Sequence, residues 1–274
     1  TSMEYSYGFS EELQQEWEWS EIMAPQPEIL RYANHVADRF ELRRHVDFDT
    51  RVTAARFDEE TNLWEVTTDS DGVFRARFCI MATGCLSVPN VPVIEGQDTF
   101  AGEVYHTGNW PPEGVDFTDK SVGIIGTGSS GVQSIPVIAQ QARHLTVLQR
   151  TPNYNMPANN APLPEDYQQR IKNNYAEVRK AQHYTQLGVS KFSRGLGGLG
   201  SDDEPTHTIL TTNAEERERA LDEEGFEAIR RYNDLGLSPE ANELACEMYR
   251  EQVARMVEDE DTAKGLMPRG YPFG

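Results

Sequence analysis

The sequence predicts an α/β fold with a βαβ unit in its middle and a largely helical segment after it. Within residues 122–131 an apolar run leads directly into the glycine-spaced stretch GTGSSG, and a helical pattern follows. Residues 63–68 and 73–80 flank the turn sequence DSDG at 69–72, which is typical of a β-hairpin. From about residue 165 onward, apolar residues recur at helical spacing. Strands and helices that alternate in this way indicate an α/β protein.

The first 84 residues are predicted to mix short helices with strands. Ser10 can cap a short helix that carries Leu13 and Trp17 on one face, and Pro27 suits the first position of a second helix. Residues 46–54 alternate as a half-buried strand does, and residues 73–80 are expected to run as a strand into residues 80–84. The second helix is predicted to bury apolar residues spaced by four, three and four, namely Ile29, Ala33, Val36 and Phe40.

The glycine-spaced stretch at 126–131 fits the pattern G-x-G-x-x-G, which is weak alone but more specific between a strand and a helix. A second strand is predicted at 145–149, which completes a Rossmann-type unit. The first glycine permits the tight turn, the second lets the backbone approach a pyrophosphate, and the third lets the helix pack closely. Phosphate oxygens would then meet the free N–H groups of the helix predicted over 131–143. Pro136 lies inside that helix and is expected to bend it.

The residues that follow the second strand indicate which dinucleotide is bound. An NAD-binding protein places Asp or Glu there for the ribose hydroxyls, whereas this sequence has Gln149, Arg150 and Thr151. A guanidinium suits a 2′-phosphate and offers no acceptor to a 2′-hydroxyl. The sequence therefore predicts NADP rather than NAD. The alternative is that Arg150 is an ordinary surface arginine near a glycine turn.

The later part of the chain is predicted to be mainly helical, over residues 165–182, 213–235 and 238–257. In the last helix Ser238 and Pro239 form a cap and first turn. One face of that helix is expected to carry Ala245, Tyr249, Val253 and Met256. A second glycine-rich stretch at 194–200 has no strand before it and acidic residues after it. It is predicted to be a mobile loop rather than a phosphate site.

Composition and charge exclude several classes of function. The chain has 25 Lys and Arg against 45 Asp and Glu, a net charge of −20, which argues against affinity for nucleic acid or an anionic membrane. No apolar run approaches the length of a membrane span. Cys79, Cys85 and Cys246 lack metal-ligand spacing, so we expect no metal site. They are predicted to be reduced, mostly buried thiols of a cytoplasmic protein.

A longer fingerprint precedes the glycine motif and carries a family resemblance. Residues 100–111 read F-x-G-x-x-x-H-x-x-x-W-P, and they lie between the Ala82-Thr83-Gly84 sequence and the G-x-G-x-x-G stretch. This arrangement resembles the fingerprint of type I Baeyer–Villiger monooxygenases. Flanking phrases such as YSYGFSEELQQEWEWSE, QPEILRY, LQRTPNY and GYPFG resemble the phenylacetone and steroid monooxygenase branch. The fingerprint positions are Phe100, Gly102, His106, Trp110 and Pro111.

The resemblance implies a flavoprotein with two dinucleotide-binding domains. Such an enzyme uses NADPH and FAD to insert one oxygen atom of O₂ beside a ketone carbonyl, giving an ester or lactone. His106 is implied to position the domains rather than to contact the ketone, and the alternative is a histidine packed in a linker. Tyr5 would lie near the flavin, Thr83 and Gly84 at the crossing between the FAD and NADP domains, and Gln26 and Pro27 near the substrate cavity. The implied NADP ligands are Gly126, Thr127, Gly128, Ser129, Ser130, Gly131 and Gln133 for the diphosphate, with Arg150 and Thr151 for the 2′-phosphate.

The same resemblance implies the domain boundaries. Residues 1–84 would be part of an FAD-binding domain without its first G-x-G-x-x-G, and 85–157 the NADP-binding domain with the fingerprint linker. Residues 158–265 would be a helical insertion, and 266–274 the start of the return to the NADP domain. The family places a catalytic Lys-Arg pair just after a phrase like GYPFG. The chain is therefore expected to be an internal fragment, inactive alone, whose partner is the missing remainder of its FAD domain.

Two other functions stay open at this point. One is a heteroatom-oxidising flavin-containing monooxygenase, whose sequence pattern is similar but lacks the tryptophan–proline ending. The other is a standalone NADP-binding module without flavin chemistry.

Overall fold

The computed structural model describes residues 2–184 and 207–273. They separate into two compact units: His35–Phe117 forms one, and Thr1–Asn34 together with Thr118–Gly274 forms the other. The predicted glycine-rich loop at 194–200 lies outside the described residues. Among the helices that are described, none combines the length and apolar character needed to cross a bilayer.

The His35–Phe117 unit contains an antiparallel sheet of three strands in the order β1-β2-β3. The strands are β1 (Val52–Asp58), β2 (Leu63–Thr68) and β3 (Val73–Ala76). Cross-strand pairs hold its register: Phe57 lies opposite Trp64 with ring centroids 5.5 Å apart, and Arg75 donates to the Glu65 carboxylate at 2.8 Å. The predicted hairpin at 63–80 is therefore confirmed in its turn and its pairing.

Two strand predictions in this unit are wrong. The strand predicted at 46–54 begins only at Val52, because residues 48–49 form a turn in which Asp49 has a φ of 53°. The strand predicted to continue through residues 80–84 ends at Ala76. A strand needs a neighbour for its main-chain groups, and residues 80–82 instead form a local turn in which the Ala82 N–H donates to the Ile80 carbonyl at 3.1 Å.

The βαβ unit in the other part of the chain is confirmed. Strand β4 (Ser121–Ile125) pairs in parallel with β5 (His144–Leu148), and α4 (Ser129–Ala139) connects them. The helix begins two residues before the predicted start, and it continues past Pro136. Because the strands are parallel, with Ile125 opposite Leu148, the segments that follow both strands leave from the same edge of the sheet.

The N-terminal residues pack against two helices from much later in the chain. The N-terminal helices are α1 (Ser2–Tyr5), α2 (Glu11–Glu16) and α3 (Gln26–Arg39), and the later pair is α5 (Glu165–Asn173) and α6 (Tyr175–His183). Ser10 caps α2 as predicted, accepting from the Leu13 N–H at 3.2 Å. The single helix predicted over 165–182 is interrupted at Asn174, which leaves helical geometry with φ −128° and ψ 22°.

The apolar face predicted for α3 is wrong in its first half. Ile29 is 51% exposed, and the helix buries Glu28 and Tyr32 instead. Tyr32 contacts an aromatic cluster formed with Trp17 and Trp19, at centroid distances of 5.2 and 5.0 Å. The Glu28 carboxylate accepts hydrogen bonds from the Ser20 main chain and hydroxyl at 3.0 and 2.5 Å. These tertiary contacts select a face that the spacing of aliphatic residues does not mark.

Arg179 joins the N-terminal segment to α6. Its guanidinium donates to the main-chain carbonyls of Met3, Glu4 and Ser6 at 3.4, 2.8 and 2.9 Å. It also donates to the Gln14 side chain at 3.0 Å, and it lies 5.2 Å from the Tyr175 ring centroid. Burial lowers the pKa of this guanidinium. A half-buried cation is thus stabilised by several acceptors at once.

A helical core occupies the C-terminal residues. It is built by α7 (Ala214–Glu224), a 3-10 helix at Gly225–Arg231, α8 (Pro239–Met256) and α9 (Glu260–Leu266). Ser238 caps α8 as predicted, accepting from the Ala241 N–H at 3.0 Å. The buried residues of this core include Ile209, Leu221, Ile229, Ala245, Met248, Tyr249 and Val253.

Three details of this region differ from the sequence prediction. The helix predicted over 213–235 ends at Glu224, because the next residue is a glycine with a φ of 60°. Met256 is 64% exposed, since it is the last residue of α8 and extends beyond the core. Helix α9 was not predicted, although Asp259 caps it by accepting from the Thr262 N–H at 2.8 Å.

The three cysteines are unpaired, and they are not mostly buried as predicted. Cys246 alone is buried, whereas Cys79 is half-buried and Cys85 is exposed. Cys79 and Cys85 follow β3, in a segment that makes no ladder with any described strand.

The Arg179 contacts predict a stability effect. Arg179→Met should lower the free energy of unfolding by about 2–3 kcal/mol, because the carbonyls of the N-terminal segment lose their donors. Thermal unfolding followed by circular dichroism measures this change. Lys180→Met removes an exposed cation from the same helix and should leave the melting temperature nearly unchanged. Equal melting temperatures for the two variants would contradict this role of Arg179.

Candidate functional site

A tight turn joins β4 to α4 and forms the centre of the candidate site. Gly126 has a φ of 99°, a left-handed conformation that favours glycine. Its N–H donates to the Leu148 carbonyl on β5 at 2.8 Å, which ties the turn to the neighbouring strand. Gly128 is extended and occupies the N-cap of α4 without any side-chain cap. The helix therefore begins at Ser129 with its first N–H groups uncapped by a side chain.

The three glycines of the turn meet different surroundings. A Cβ added to Gly131 would lie 2.4 Å from the Gly126 carbonyl oxygen, closer than two such atoms can approach. A Cβ added to Gly126 or Gly128 would meet nothing within 4 Å. The turn is thus packed against its own backbone at Gly131 and open to its surroundings at Gly126 and Gly128. That shape fits the predicted roles, in which one glycine permits close packing and the others leave room for a diphosphate.

The open side of the turn carries donors for an anion. The N–H groups of Ser129, Ser130 and Gly131 precede the first intrahelical hydrogen bond, which the Val132 N–H makes to the Gly128 carbonyl at 2.9 Å. Ser129 and Ser130 are exposed, and the first turn of α4 has no acidic residue. The helix macrodipole adds partial positive charge at this end. These features suit a phosphate group.

Gln133 lies one turn further along α4 and folds back over its start. Its Nε2 donates to the Ser129 carbonyl at 2.8 Å and lies 3.3 Å from the Ser129 hydroxyl. The side chain is therefore close to the turn, as expected of a residue that lines the diphosphate.

Arg150 and Thr151 leave β5 at the same edge of the sheet as the glycine turn leaves β4. Both are exposed, and the Arg150 guanidinium makes no ion pair or hydrogen bond with any described residue. A cation without a partner at this edge is available to a second anionic group. The structure thus brings the predicted diphosphate and 2′-phosphate residues to one edge of one sheet.

Sequence reasoning missed the residues that hold the turn in place. The Thr127 hydroxyl donates to Gln149 Oε1 at 3.3 Å, and the Thr127 carbonyl accepts from Asn153 Nδ2 at 3.2 Å. Gln149 Nε2 in turn donates to the Gly265 carbonyl of α9 at 2.8 Å. The position of Gln149 directly after a strand was visible in the sequence, but its partner in α9 is 116 residues away.

The fingerprint residues lie in the His35–Phe117 unit and support a local fold. His106 Nδ1 accepts from the Gly108 N–H at 3.0 Å and caps the 3-10 helix Thr107–Asn109. Neutral His106 therefore carries its proton on Nε2. The Trp110 ring lies 5.9 Å from that of Tyr105 and 6.0 Å from that of Phe117, by centroids.

Phe100 and Gly102, at the start of the fingerprint, depend on each other sterically. A Cβ added to Gly102 would lie 2.6 Å from the Phe100 ring. Pro111 follows Trp110 in extended chain at the end of the fingerprint. The fixed residue types of the fingerprint thus shape this loop, and none of these contacts involves a charged group.

The remaining predicted site residues are exposed. Tyr5 is 91% exposed, and Gln26 and Pro27, the first two residues of α3, are also exposed. Thr83 and Gly84 are also exposed, and Gly84 has a φ of 73°. Thr83 and Gly84 belong to the His35–Phe117 unit, whereas Tyr5, Gln26 and Pro27 belong to the unit that holds the glycine turn. Their predicted contacts with flavin or ketone stay predictions.

Comparison with known proteins places this geometry in a family. Residues 7–195 match the family model described as pyridine nucleotide-disulphide oxidoreductase. The chain belongs to this family. The match covers the glycine turn, Arg150 and the whole fingerprint.

Several relatives and solved structures to which the chain is similar are monooxygenases. The chain is 38% identical to a Baeyer–Villiger monooxygenase from Pseudooceanicola batsensis, over 97% of this chain and 48% of the relative. It is similar to the structure of oxidized steroid monooxygenase bound to NADP, with 44% identity and a TM-score of 0.80 over 100% of this chain and 51% of that one. It also matches OTEMO in complex with FAD and NADP, with 37% identity and a TM-score of 0.82 over 100% of this chain and 51% of that one.

These comparisons confirm the resemblance drawn from the fingerprint and the predicted α/β flavoprotein fold class. The chain spans about half the length of the curated relatives it matches. The glycine turn lies within the part of those relatives that the chain matches.

The packing of Gly131 in the glycine turn predicts a stability effect that can be measured without a ligand. Gly131→Ala should lower the free energy of unfolding by about 1–3 kcal/mol, because the added Cβ collides with the Gly126 carbonyl and the backbone must shift. Gly123→Ala is the matched control, since a Cβ on that strand residue meets nothing within 4 Å. Thermal unfolding of both variants is the measurement. The packing role of Gly131 is wrong if Gly131→Ala melts no lower than Gly123→Ala.

Proposed function

We propose that this chain is the NADP-binding part of an NADPH- and FAD-dependent Baeyer–Villiger monooxygenase that converts a ketone into an ester or lactone. The observation that carries the proposal is the glycine turn, with an open front and a back packed by its own backbone. At the same sheet edge lies the Arg150 guanidinium, which has no ion-pair partner among the residues that the structure describes. The NADP-bound steroid monooxygenase, at 44% identity, supports NADP as the nucleotide. The histidine–tryptophan–proline fingerprint supports the Baeyer–Villiger reaction over heteroatom oxidation.

The chain's own residues would bind and orient the nucleotide. The N–H groups of Ser129, Ser130 and Gly131 would donate to the diphosphate, with hydroxyls of the two serines beside them. Arg150 would pair with the 2′-phosphate, and Thr151 would add a hydroxyl donor. Bound NADPH supplies the hydride with which the flavin of such an enzyme is reduced before O₂ is used. The residues of this chain would hold the nucleotide for that transfer, and Arg150 would favour NADPH over NADH because only NADPH has a 2′-phosphate to pair with the guanidinium.

The residues proposed for the flavin form no comparable cradle. Within residues 2–184 and 207–273, the turn at 126–131 is the only glycine turn that joins a strand directly to an α-helix. Tyr5, Thr83 and Gly84 are exposed and supply no phosphate donors of that kind. We therefore derive no step through FAD for these residues, and we propose only that they border the flavin of the whole protein. His106 is proposed to have a positioning role, because its Nδ1 is engaged with the Gly108 N–H.

We propose further that the remainder of the FAD domain covers apolar surface that is bare in this chain. The segment after β3 has five large apolar side chains that are more than three-quarters exposed: Phe78, Ile80, Leu86, Val88 and Val93. Ile125 and Leu148, which face each other at the ends of β4 and β5, are 69% and 54% exposed. Patches of this kind mark interaction surfaces. The domain boundaries 1–84, 85–157, 158–265 and 266–274, and a cytoplasmic location, are parts of the same proposal.

A standalone NADP-binding module is the second candidate, since the glycine turn needs no flavin. We expect the purified chain to bind NADP⁺ and to carry no flavin, because only one phosphate cradle is described. The absorbance spectrum of the purified protein measures this directly. A yellow preparation with stoichiometric flavin would contradict the incomplete FAD site. Ketone, amine and sulfide oxidation by the full-length protein then separates Baeyer–Villiger from heteroatom chemistry.

The proposed role of Arg150 is tested by nucleotide preference. Arg150→Ala should weaken NADP⁺ binding about tenfold to a hundredfold and leave NAD⁺ binding unchanged, because the 2′-phosphate loses its charged partner. Isothermal titration calorimetry with both nucleotides is the measurement.

The matched control for this test is Arg143→Ala. Arg143 precedes the opposite end of β5, where its guanidinium donates to the Ser121 hydroxyl at 3.1 Å. Its loss changes net charge equally and should affect neither nucleotide. Equal losses in the two variants would show a general charge effect and would contradict the specific role of Arg150.

A further inference from the structure

Three hydrogen bonds hold the first two residues of the turn, Gly126 and Thr127. The Gly126 N–H donates to the Leu148 carbonyl at 2.8 Å. The Thr127 hydroxyl donates to Gln149 Oε1 at 3.3 Å, and Asn153 Nδ2 donates to the Thr127 carbonyl at 3.2 Å. All three partners come from β5 or the segment directly after it. The turn is therefore held by the neighbouring strand on several atoms, not only by its own backbone.

Thr127 lies between two glycines, and a loop with two glycines binds an anion more tightly when its backbone is already held in place. Glycine has a wide range of backbone torsions, and no neighbour lies within 4 Å of the Cβ position of Gly126 or Gly128 to narrow that range. A loop that samples many conformations must be ordered when the ligand binds, and that ordering reduces affinity. Restraint at Thr127, between the two glycines, orders the loop before the nucleotide arrives.

Both the oxygen and the nitrogen of the Gln149 side-chain amide are hydrogen-bonded within the protein. Its amide oxygen accepts from Thr127, and its amide nitrogen donates to the Gly265 carbonyl of α9 at 2.8 Å. Both ends of the side chain are used inside the protein, although the residue stands where an NAD-binding protein places its ribose-binding acid. Gln149 is therefore poorly placed to contact a nucleotide directly.

Asn153 is engaged in the same way at the other side of Thr127. Its Nδ2 donates to the Thr127 carbonyl, and its Oδ1 lies 3.4 Å from the Tyr271 hydroxyl. The restraint on the turn thus reaches two parts of the C-terminal region, α9 through Gln149 and the segment of Tyr271 through Asn153.

We propose that Gln149 and Asn153 are positioning residues for NADP, which act through Thr127 on the diphosphate and make no contact with the nucleotide. The proposal rests on the proposed NADP site. It assigns Gln149 a role different from that of Arg150, its neighbour in sequence. It also makes the packing of α9 a determinant of nucleotide affinity.

Two ligands separate positioning from direct contact. NADP⁺ has both the diphosphate and the 2′-phosphate, whereas 2′-AMP has the 2′-phosphate and adenosine alone. Gln149→Ala in the full 274-residue chain should weaken NADP⁺ binding about threefold to tenfold, the range expected for a lost hydrogen bond. Binding of 2′-AMP should change less than about twofold, because the diphosphate loop is not used by that ligand. Asn153→Ala should show the same pattern.

Thr127 supplies the conservative pair of variants. Thr127→Val removes the hydroxyl at nearly constant volume and should weaken NADP⁺ as much as Gln149→Ala does. Thr127→Ser keeps the hydroxyl and should bind as the parent chain does. The double variant of Thr127→Val with Gln149→Ala should lose no more than either single change. Gln141→Ala, an exposed glutamine whose side chain makes no hydrogen bond with described residues, is the control and should bind both ligands normally.

Direct contact would give a different result. If Gln149→Ala weakens NADP⁺ and 2′-AMP equally, Gln149 touches the adenosine end and the positioning role is wrong. Unchanged NADP⁺ affinity in Gln149→Ala, or additive losses in the double variant, would also overturn the proposal.

A second readout does not depend on the nucleotide. Amide hydrogen exchange at Gly126 and Val132, whose N–H groups are bonded at either side of the turn, should be faster in Gln149→Ala without any ligand. If the parent chain fails to bind NADP⁺, the proposed function is wrong. The exchange rates would still test whether Gln149 restrains the turn, because they are measured without a ligand. Exchange that is unchanged in Gln149→Ala would overturn the restraint itself.

Discussion

The approach of Gly131 to the Gly126 carbonyl is the contact on which the site depends. A side-chain carbon at residue 131 would lie 2.4 Å from that oxygen, so the helix can begin where it does only with glycine there. The contact places the first turn of α4 directly over the end of β4, with its free N–H groups facing outward. The Gly126 N–H bond to Leu148 then fixes the turn against β5, which delivers Arg150 to the same edge. Anion binding follows from this backbone arrangement, and serine hydroxyls and a guanidinium refine it.

The two units of the chain support their functional segments by different means. In the nucleotide unit, long-range contacts hold local segments: Arg179 ties the N-terminal residues to α6, and Gln149 ties the glycine turn to α9. In the His35–Phe117 unit the fingerprint holds itself, through the His106 cap on Gly108 and the rings around Trp110. The fingerprint histidine therefore has a structural partner already, which favours positioning over proton transfer.

The features that were predictable from the sequence are those set by backbone geometry. The glycine turn, the Ser10 and Ser238 caps and the hairpin turn each depend on residue types at fixed short spacing. Features set by distant partners were not predictable. The buried face of α3 is chosen by the contacts of Tyr32 with distant aromatic rings, and the Gln149 bond reaches a residue 116 positions away. Alternation at 46–54 suggested a strand, but a turn at Asp49 delays it to Val52.

The most direct test of the central claim is a crystal structure of this chain with NADP⁺. We expect diphosphate oxygens at hydrogen-bond distance, about 3 Å, from the N–H groups of Ser129, Ser130 and Gly131. We also expect the 2′-phosphate against the Arg150 guanidinium, with Thr127 still bonded to Gln149. A nucleotide bound elsewhere on the chain, or a glycine turn that remains free of it at saturating concentration, would contradict the account.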